Sequence, residues 1–253
     1  MQPAVLISGG AKRIGATIAR GFAAAGWHVA VHCGRSRADA EALAASLPSA
    51  EVVQCDLADS DAAAGMIAAL AARLTDWRVL VNSAAVFRED TARALNPAVF
   101  AEAMAINAQA PARMTQAFLA HAKAGGGRRV INLTDQKLAN PNPDFFSYTM
   151  AKHAFAATIR MLAMAQADAN PGSGDRIYGL APGAMLPSFD QLPEEHRISG
   201  RMNLLGRITA PQELADAALF LSQGWLASGE TLFIDSGQHL LAQPRDVLFL
   251  ARA

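Results

Sequence analysis

The sequence predicts one α/β domain, a doubly wound parallel sheet of about seven strands with helices on both faces. Three observations predict it. Short β-branched runs alternate with alanine-rich stretches from end to end, a glycine-rich turn joins the first run to the first helix, and no linker, repeat or low-complexity tract interrupts the 253 residues. At 52% hydrophobic and 17% charged, the chain has apolar material for a full core. Zero formal net charge gives the whole molecule no pull toward nucleic acid or anionic lipid, so a small-molecule partner has to be argued from a site. Cys33 and Cys55 lack metal-ligand spacing and read as small buried thiols in a reducing compartment. No apolar run approaches membrane-spanning length, and the first strand follows Met1 closely, so an unexported, cytoplasmic protein is expected.

Ala4 to Ile7 is the first strand, and Ser8-Gly-Gly-Ala-Lys-Arg-Ile-Gly15 is a turn into a helix over Ala16 to Ala25. Glycines there let backbone amides approach a pyrophosphate, which then sits at the positive end of the helix. Gly9 and Gly15 are the best placed, with Arg13 where a middle glycine would stand. The second strand, Trp27 to Cys33, leads to Gly34-Arg-Ser-Arg37 and a helix over Ala38 to Ser46. His32, Arg35 and Ser36 fall where a dinucleotide's adenosine ribose lies, with no carboxylate before Asp39. Arginine and serine suit a 2′-phosphate, so NADPH is expected over NADH. Glu51 to Cys55 is a third strand ending at Asp56-Leu57, followed by a helix over Asp61 to Leu74. Arg78 to Val81 is a fourth, ending in Asn82-Ser83-Ala84-Ala85-Val86-Phe87. These strand ends line the carboxyl edge of the sheet, and Asp56 and Asn82 either touch adenine or cap local turns.

A helix over Ala98 to Lys123 carries Asn107 and bends near Pro111. Arg129 to Leu133 is a buried strand, and Asp135 follows it. Tyr148 and Lys152 open a long alanine- and methionine-rich helical run. Four residues apart, they share a helix face, and an ammonium one turn from a phenol lowers the phenol's pKa. With Asp135 able to point back at the tyrosine, the three form a candidate proton relay. Asp175 to Leu180 is a sixth strand ending in Ala181-Pro182-Gly183. Residues 184 to 205 read as a substrate-side lid with short helices. Pro211 to Leu221 is the last long helix, and Thr231 to Asp235 the seventh strand.

The Ser8–Gly15 turn, Asp56, the Asn82-Ser-Ala-Ala segment, Asn107, Asp135, Tyr148, Lys152, Pro182-Gly183 and Ile234-Asp-Ser-Gly237 together resemble the short-chain dehydrogenase/reductases, over nearly the whole chain. That family is Rossmann-type. It usually has serine or threonine at the position of Asp135 and glycine at that of Arg13. The pteridine reductase branch, which includes bacterial dihydromonapterin and dihydrofolate reductases, is similar to this chain at both. It is also similar at Val31 to Ser36, at Phe87 and at Gly237-Gln-His-Leu240. Departures remain: Ser83 and Ala84-Ala85 replace the usual Asn-Ala-Gly or Asn-Ala-Ser, and Tyr178 stands where asparagine is common.

The resemblance implies that Lys152 holds the nicotinamide ribose and lowers the Tyr148 pKa, that Tyr148 supplies a proton, and that Asn107 anchors a water path. NADPH contacts are implied at Ser8, Gly9, Arg13, Ile14, Gly15, His32, Arg35, Ser36, Asp56, Leu57, Asn82, Ser83, Ala84, Lys152, Pro182 and Gly183. Substrate contacts are implied at Arg13, Phe87, Asp135 and Tyr148. For a dihydropterin, the acceptor is a ring C=N bond whose nitrogen gains a proton. Asp135 suits that nitrogen better than serine, and Phe87 offers a flat face. The rival readings are a carbonyl reductase of the same fold, acting on a ketone, sugar or acyl-thioester, and a protein that binds NADP(H) without turnover. The family implies a homotetramer, and the apolar tail Val247 to Leu250 is compatible with packing on a neighbour.

Overall fold

β-branched runs flanked by glycine and polar turns form seven strands, all parallel, in the order β3-β2-β1-β4-β5-β6-β7. The computed structural model describes residues 2–188 and 190–253; Met1 and Phe189, the latter inside the expected lid, lie outside the described residues. The strands are β1 (Ala4–Ile7), β2 (His28–Cys33), β3 (Ala50–Gln54), β4 (Trp77–Asn82), β5 (Arg129–Leu133), β6 (Arg176–Pro182) and β7 (Thr231–Ile234). β1 is buried along its whole length because it lies between β2 and β4 and is covered on both faces. Its alternate residues divide the core. Val5 and Ile7 face a cluster with Ile18, Phe22 and Leu214, and Leu6 faces one with Ile67, Trp77, Met114 and Phe118.

The first layer is built by α1 (Arg13–Ala24), α2 (Arg37–Ala45) and α8 (Pro211–Ser222), and the second by α3 (Ser60–Ala71), α5 (Ala110–His121) and α6 (Phe146–Ala169). The expected bend in the fourth long helix is displaced toward Asn107. α4 (Pro97–Met104) passes through a π-turn at Ala105–Gln109 before α5 begins. Pro111 has no N–H to return to the Asn107 carbonyl, so the chain takes the wider turn there. α7 (Pro193–Ser199) is a short helix within the segment expected to act as a lid, and α9 (Val247–Leu250) is the last helix described. Among the described residues no helix is long and apolar enough to cross a membrane.

Two expectations change. Cys33 and Cys55 belong to opposite faces of the sheet, and only Cys33 is fully buried. The tail packs on its own chain: Val247 and Leu248 are buried, and Leu248 joins Phe145 and Tyr148 in an apolar cluster. An apolar four-residue run gains burial wherever a hydrophobic wall is near, and this wall is intramolecular.

Candidate active site

Strand order reverses between β1 and β4, which opens a crevice at the carboxyl edge. Ser8 closes its floor. Its hydroxyl accepts from the Ser83 amide at 2.9 Å and the Ala84 amide at 3.1 Å, tying the ends of β1 and β4 together. Gly9 has φ +63°, and a Cβ there would meet the Ala84 backbone at 2.9 Å. A Cβ on Gly15 would lie 2.2 Å from the Gly9 carbonyl oxygen, so glycine lets α1 start directly against the turn. Ile14, in the first turn of α1, lines the cavity described below. No acidic residue stands in that first turn, which leaves its positive end open to an anion.

His32 is a correction. It is buried, accepts from the Gly9 amide through Nδ1 at 3.1 Å, and reaches the Cys55 carbonyl through Nε2 at 3.1 Å. Nε2 therefore carries the proton, and burial lowers the ring's pKa. With both nitrogens used, the ring braces the glycine turn and is closed to a ribose. Asn82 is a second correction: buried, it donates to Thr115 and to Asn132 at 3.1 and 2.8 Å, inside the core between β4, β5 and α5. The Leu57 side chain belongs to the core, which leaves only its backbone to meet a ligand. Asp56 is exposed and accepts from the Ala58 amide at 3.0 Å, the capping alternative.

Arg35 and Ser36 differ in kind. Both follow β2, Arg35 is exposed, and neither side chain forms a hydrogen bond or ion pair with any described residue. By contrast, Arg37 is held by Glu41 at 2.7 Å. An arginine and a hydroxyl left open at a strand end match an anionic group.

On the other side of the reversal, Asp135, Tyr148, Phe87, Arg13, Pro182 and Gly183 line one cavity of about 290 Å³. Tyr148 donates to Asp135 Oδ2 at 2.7 Å, while the Lys137 amide donates to Oδ1 at 2.9 Å. Asp90 caps the start of α6, accepting from the Ser147 amide at 2.9 Å and from its hydroxyl, and so fixes where Tyr148 is presented. Lys152 donates to the Leu133 carbonyl at 2.6 Å, and its Nζ lies 5.7 Å from the Tyr148 ring centre. Tyr148 and Lys152 are buried, and Asp135 is half-buried at the cavity wall. Burial raises the Asp135 carboxyl above its ordinary value, against the pull of the Lys137 amide and of both lysines. Burial also takes Lys152 from 10.5 to about 8. The phenol of Tyr148 is pushed well up by burial and by Asp135. The expected lowering by Lys152 is not seen, because the ammonium points at a carbonyl and the phenol faces a carboxyl.

Asn107 also acts differently from expectation. Its amide pairs both ways with the Val86 backbone, 2.8 Å in each direction, and so sets the path of the chain into Phe87. Phe87 is 36% exposed, stacks on Phe145 at 3.9 Å, and meets Tyr148 edge-on at 4.7 Å. One ring face is taken and the other borders the cavity. Arg13, at φ +52°, donates to the Pro187 carbonyl at 2.8 Å and so links the glycine turn to the lid. Tyr178, the departure in β6, is fully buried and donates to the Leu226 carbonyl at 2.7 Å, away from the cavity.

Several cavity residues escaped the sequence reading. Gln238 accepts from the Ala184 amide at 2.9 Å, and a Cβ on Gly183 would lie 2.5 Å from its Oε1. The Gly237-Gln-His-Leu240 segment carried that signal. Lys137 and Asp246 carried none, being distant in sequence and of ordinary surface type.

A family model described as enoyl-(acyl carrier protein) reductase matches residues 9–239. The crystal structure of FolM alternative dihydrofolate reductase 1 from Brucella canis, complexed with NADP, superposes with a TM-score of 0.87 at 32% identity, over 96% of each chain. Pteridine reductase 1 of Leishmania tarentolae is 29% identical, over 94% of this chain and 96% of its own. Galactitol 2-dehydrogenase (L-tagatose-forming) of Cereibacter sphaeroides is 30% identical, over 91% and 92%.

Proposed function

This chain belongs to the short-chain dehydrogenase/reductase family, and we propose that it is an NADPH-dependent reductase of a pterin-type C=N bond. It is an oxidoreductase whose cofactor is NADP(H). The glycine cradle at Gly9 and Gly15, the acid-free start of α1 and the open Arg35 and Ser36 side chains fit the pyrophosphate and the 2′-phosphate. When bound, NADPH supplies the hydride. The ribose falls to Lys152 by analogy with the family.

The observation that carries the substrate reading is the half-buried Asp135 carboxyl on the Tyr148 hydroxyl at 2.7 Å. A ketone reductase needs a single hydroxyl proton, which Tyr148 delivers. A ring nitrogen is better served by a carboxyl that burial keeps protonated closer to neutral pH. Asp135 delivers the proton to that nitrogen and regains one from solvent through the cavity, Tyr148 orients its carboxyl along their hydrogen bond, and Lys152, near 8, exchanges protons around neutral pH. Phe87 offers its open face to the heterocycle. The similarity to a dihydrofolate reductase of this fold and to a pteridine reductase supports the same reading.

The test compares NADPH oxidation with dihydropterin, dihydrofolate and simple carbonyls, for wild type and Asp135→Ser. The expected result is turnover of a reduced pterin that the variant loses about 100-fold or more at unchanged NADPH affinity. Equal loss of turnover and NADPH binding would remove the role given to Asp135, and turnover of carbonyls alone would favour the carbonyl-reductase reading.

A further inference from the structure

The cavity wall holds a second buried ion pair that the proton delivery above does not use. Lys137 Nζ lies 2.6 Å from Asp246 Oδ2, with side-chain exposures of 4% and 11%. The ammonium also donates to Asn142 Oδ1 at 3.1 Å and to the Asp144 carbonyl at 3.3 Å. On Asp246, Oδ1 accepts from the Leu248 amide at 3.0 Å. The pair thus joins the loop carrying Asp135 to the C-terminal segment, whose Val247 and Leu248 also line the cavity. Lys137 stands two residues past Asp135, and its amide fixes Asp135 Oδ1 at 2.9 Å. A cation is therefore held beside the carboxyl that has to carry a proton, an arrangement that alone favours the ionised form.

We propose that Asp246 is a positioning residue of this reductase: paired with Lys137, it cancels the ammonium's field at Asp135, so that Asp135 holds the proton the substrate nitrogen receives. This rests on Asp135 being the proton donor. Tyr148 and Lys152 from α6 and Lys137 from its own loop act on Asp135, while Asp246 from the C-terminal segment, which also raises the Tyr148 phenol, and Arg13 line the same cavity. Asp144, further along the loop, is itself closed by Arg245 at 2.7 Å. Both lysines favour the carboxylate and burial opposes them; Asp246 is the acid that pairs with Lys137.

The test uses the full chain with NADPH and dihydropterin across a pH series, for wild type, Asp246→Asn, Lys137→Met and the double variant. Without turnover, the Asp135 carboxyl is followed by ¹³C NMR in the NADP-bound protein, with Asp135→Asn to assign the resonance. Activity falls as pH rises through the donor's pKa. That limb and the NMR titration are expected lowest in Asp246→Asn, by about one pH unit, intermediate in wild type and the double variant, and highest in Lys137→Met. A merely structural pair would lower turnover without this order. Single variants shifting the same way, or a limb that does not move, overturn the proposal. Should Asp246→Asn fail to fold, an unmoved limb in Lys137→Met does the same. If no dihydropterin is turned over, the substrate reading falls and the NMR order still decides the role of Asp246.

Discussion

Lys152 carries a stability signature that can be read without substrate. It is 4% exposed, donates to the Leu133 carbonyl at 2.6 Å, and is brought by burial from 10.5 to about 8. Unfolded, the amine keeps an ordinary value near ~10.4. Between those two values the unfolded chain binds more protons than the folded one, so stability climbs with pH across that window. Below about 8 the full cost is present. The gap is worth about 3 kcal/mol, of which about 2 kcal/mol is relieved between pH 7 and 9.5. Lys152→Met keeps the stem and removes the titration. Urea unfolding of both proteins at pH 7 and 9.5 is expected to show wild type gaining about 2 kcal/mol on the variant. Tyr148 is common to both proteins, so the stability its raised folded value loses as the unfolded phenol ionises near ~10 cancels in the comparison. Parallel stabilities, within about half a kcal/mol, would refute the reasoning, since they would mean the amine is solvated in the folded state. In the same variant, turnover is expected to fall by about 100-fold or more.

Other substitutions separate binding from chemistry. His32→Leu leaves the Gly9 amide and the Cys55 carbonyl without their ring partner, at about 1 to 3 kcal/mol for each group left unpaired; calorimetric titration is expected to show weaker NADPH binding with little change in the rate at saturation. Gly15→Ala drives a methyl to 2.2 Å from the Gly9 oxygen, an overpacking of about 1 to 3 kcal/mol, and thermal unfolding together with NADPH affinity should both record it. Arg35→Ala removes a charge-assisted contact worth about 1.5 to 3 kcal/mol, so the ratio of kcat/KM for NADPH over NADH should fall roughly 10- to 100-fold. An unchanged ratio would move the 2′-phosphate elsewhere.

The strands and helices were legible because their signals are local. β1 is a continuous apolar run since both faces of a central parallel strand are covered, and the boundaries of the long helices α1, α2, α3 and α8 were read to within a few residues, whereas those of the short α7 and α9 were not read. That Tyr148 and Lys152 share one helix face was legible from their spacing. Misreadings arose where a strand-end residue had two directions to point. Asn82 and His32 occupy edge positions that face a ligand in outline, but the pleat turns one into the core and the other under the glycine turn. The sign of the Tyr148 shift was also beyond the sequence. Spacing shows that an ammonium is near a phenol, and only the structure shows that burial and the Asp135 carboxyl decide the direction.

The two halves of the edge divide the work, and the join between them explains why the glycine turn is so tightly specified. β1 to β3 present the open Arg35 and Ser36, while β4 to β6 present Phe87, Asp135 and the cavity. One atom spans the reversal: Ser8 Oγ accepts from Ser83 and Ala84, and Gly9 lies where any side chain would strike Ala84. Val86, two residues past Ala84, is clamped by Asn107, and Phe87 follows it. A displacement of the turn is therefore carried along a short chain of hydrogen-bonded contacts to the ring beside Tyr148. Ser8→Ala should accordingly impair turnover as well as NADPH affinity, even though Ser8 does not itself line the cavity, and kcat and Kd measured on that one variant would show both. A loss confined to affinity would mean that the two halves are held in register by the strands alone.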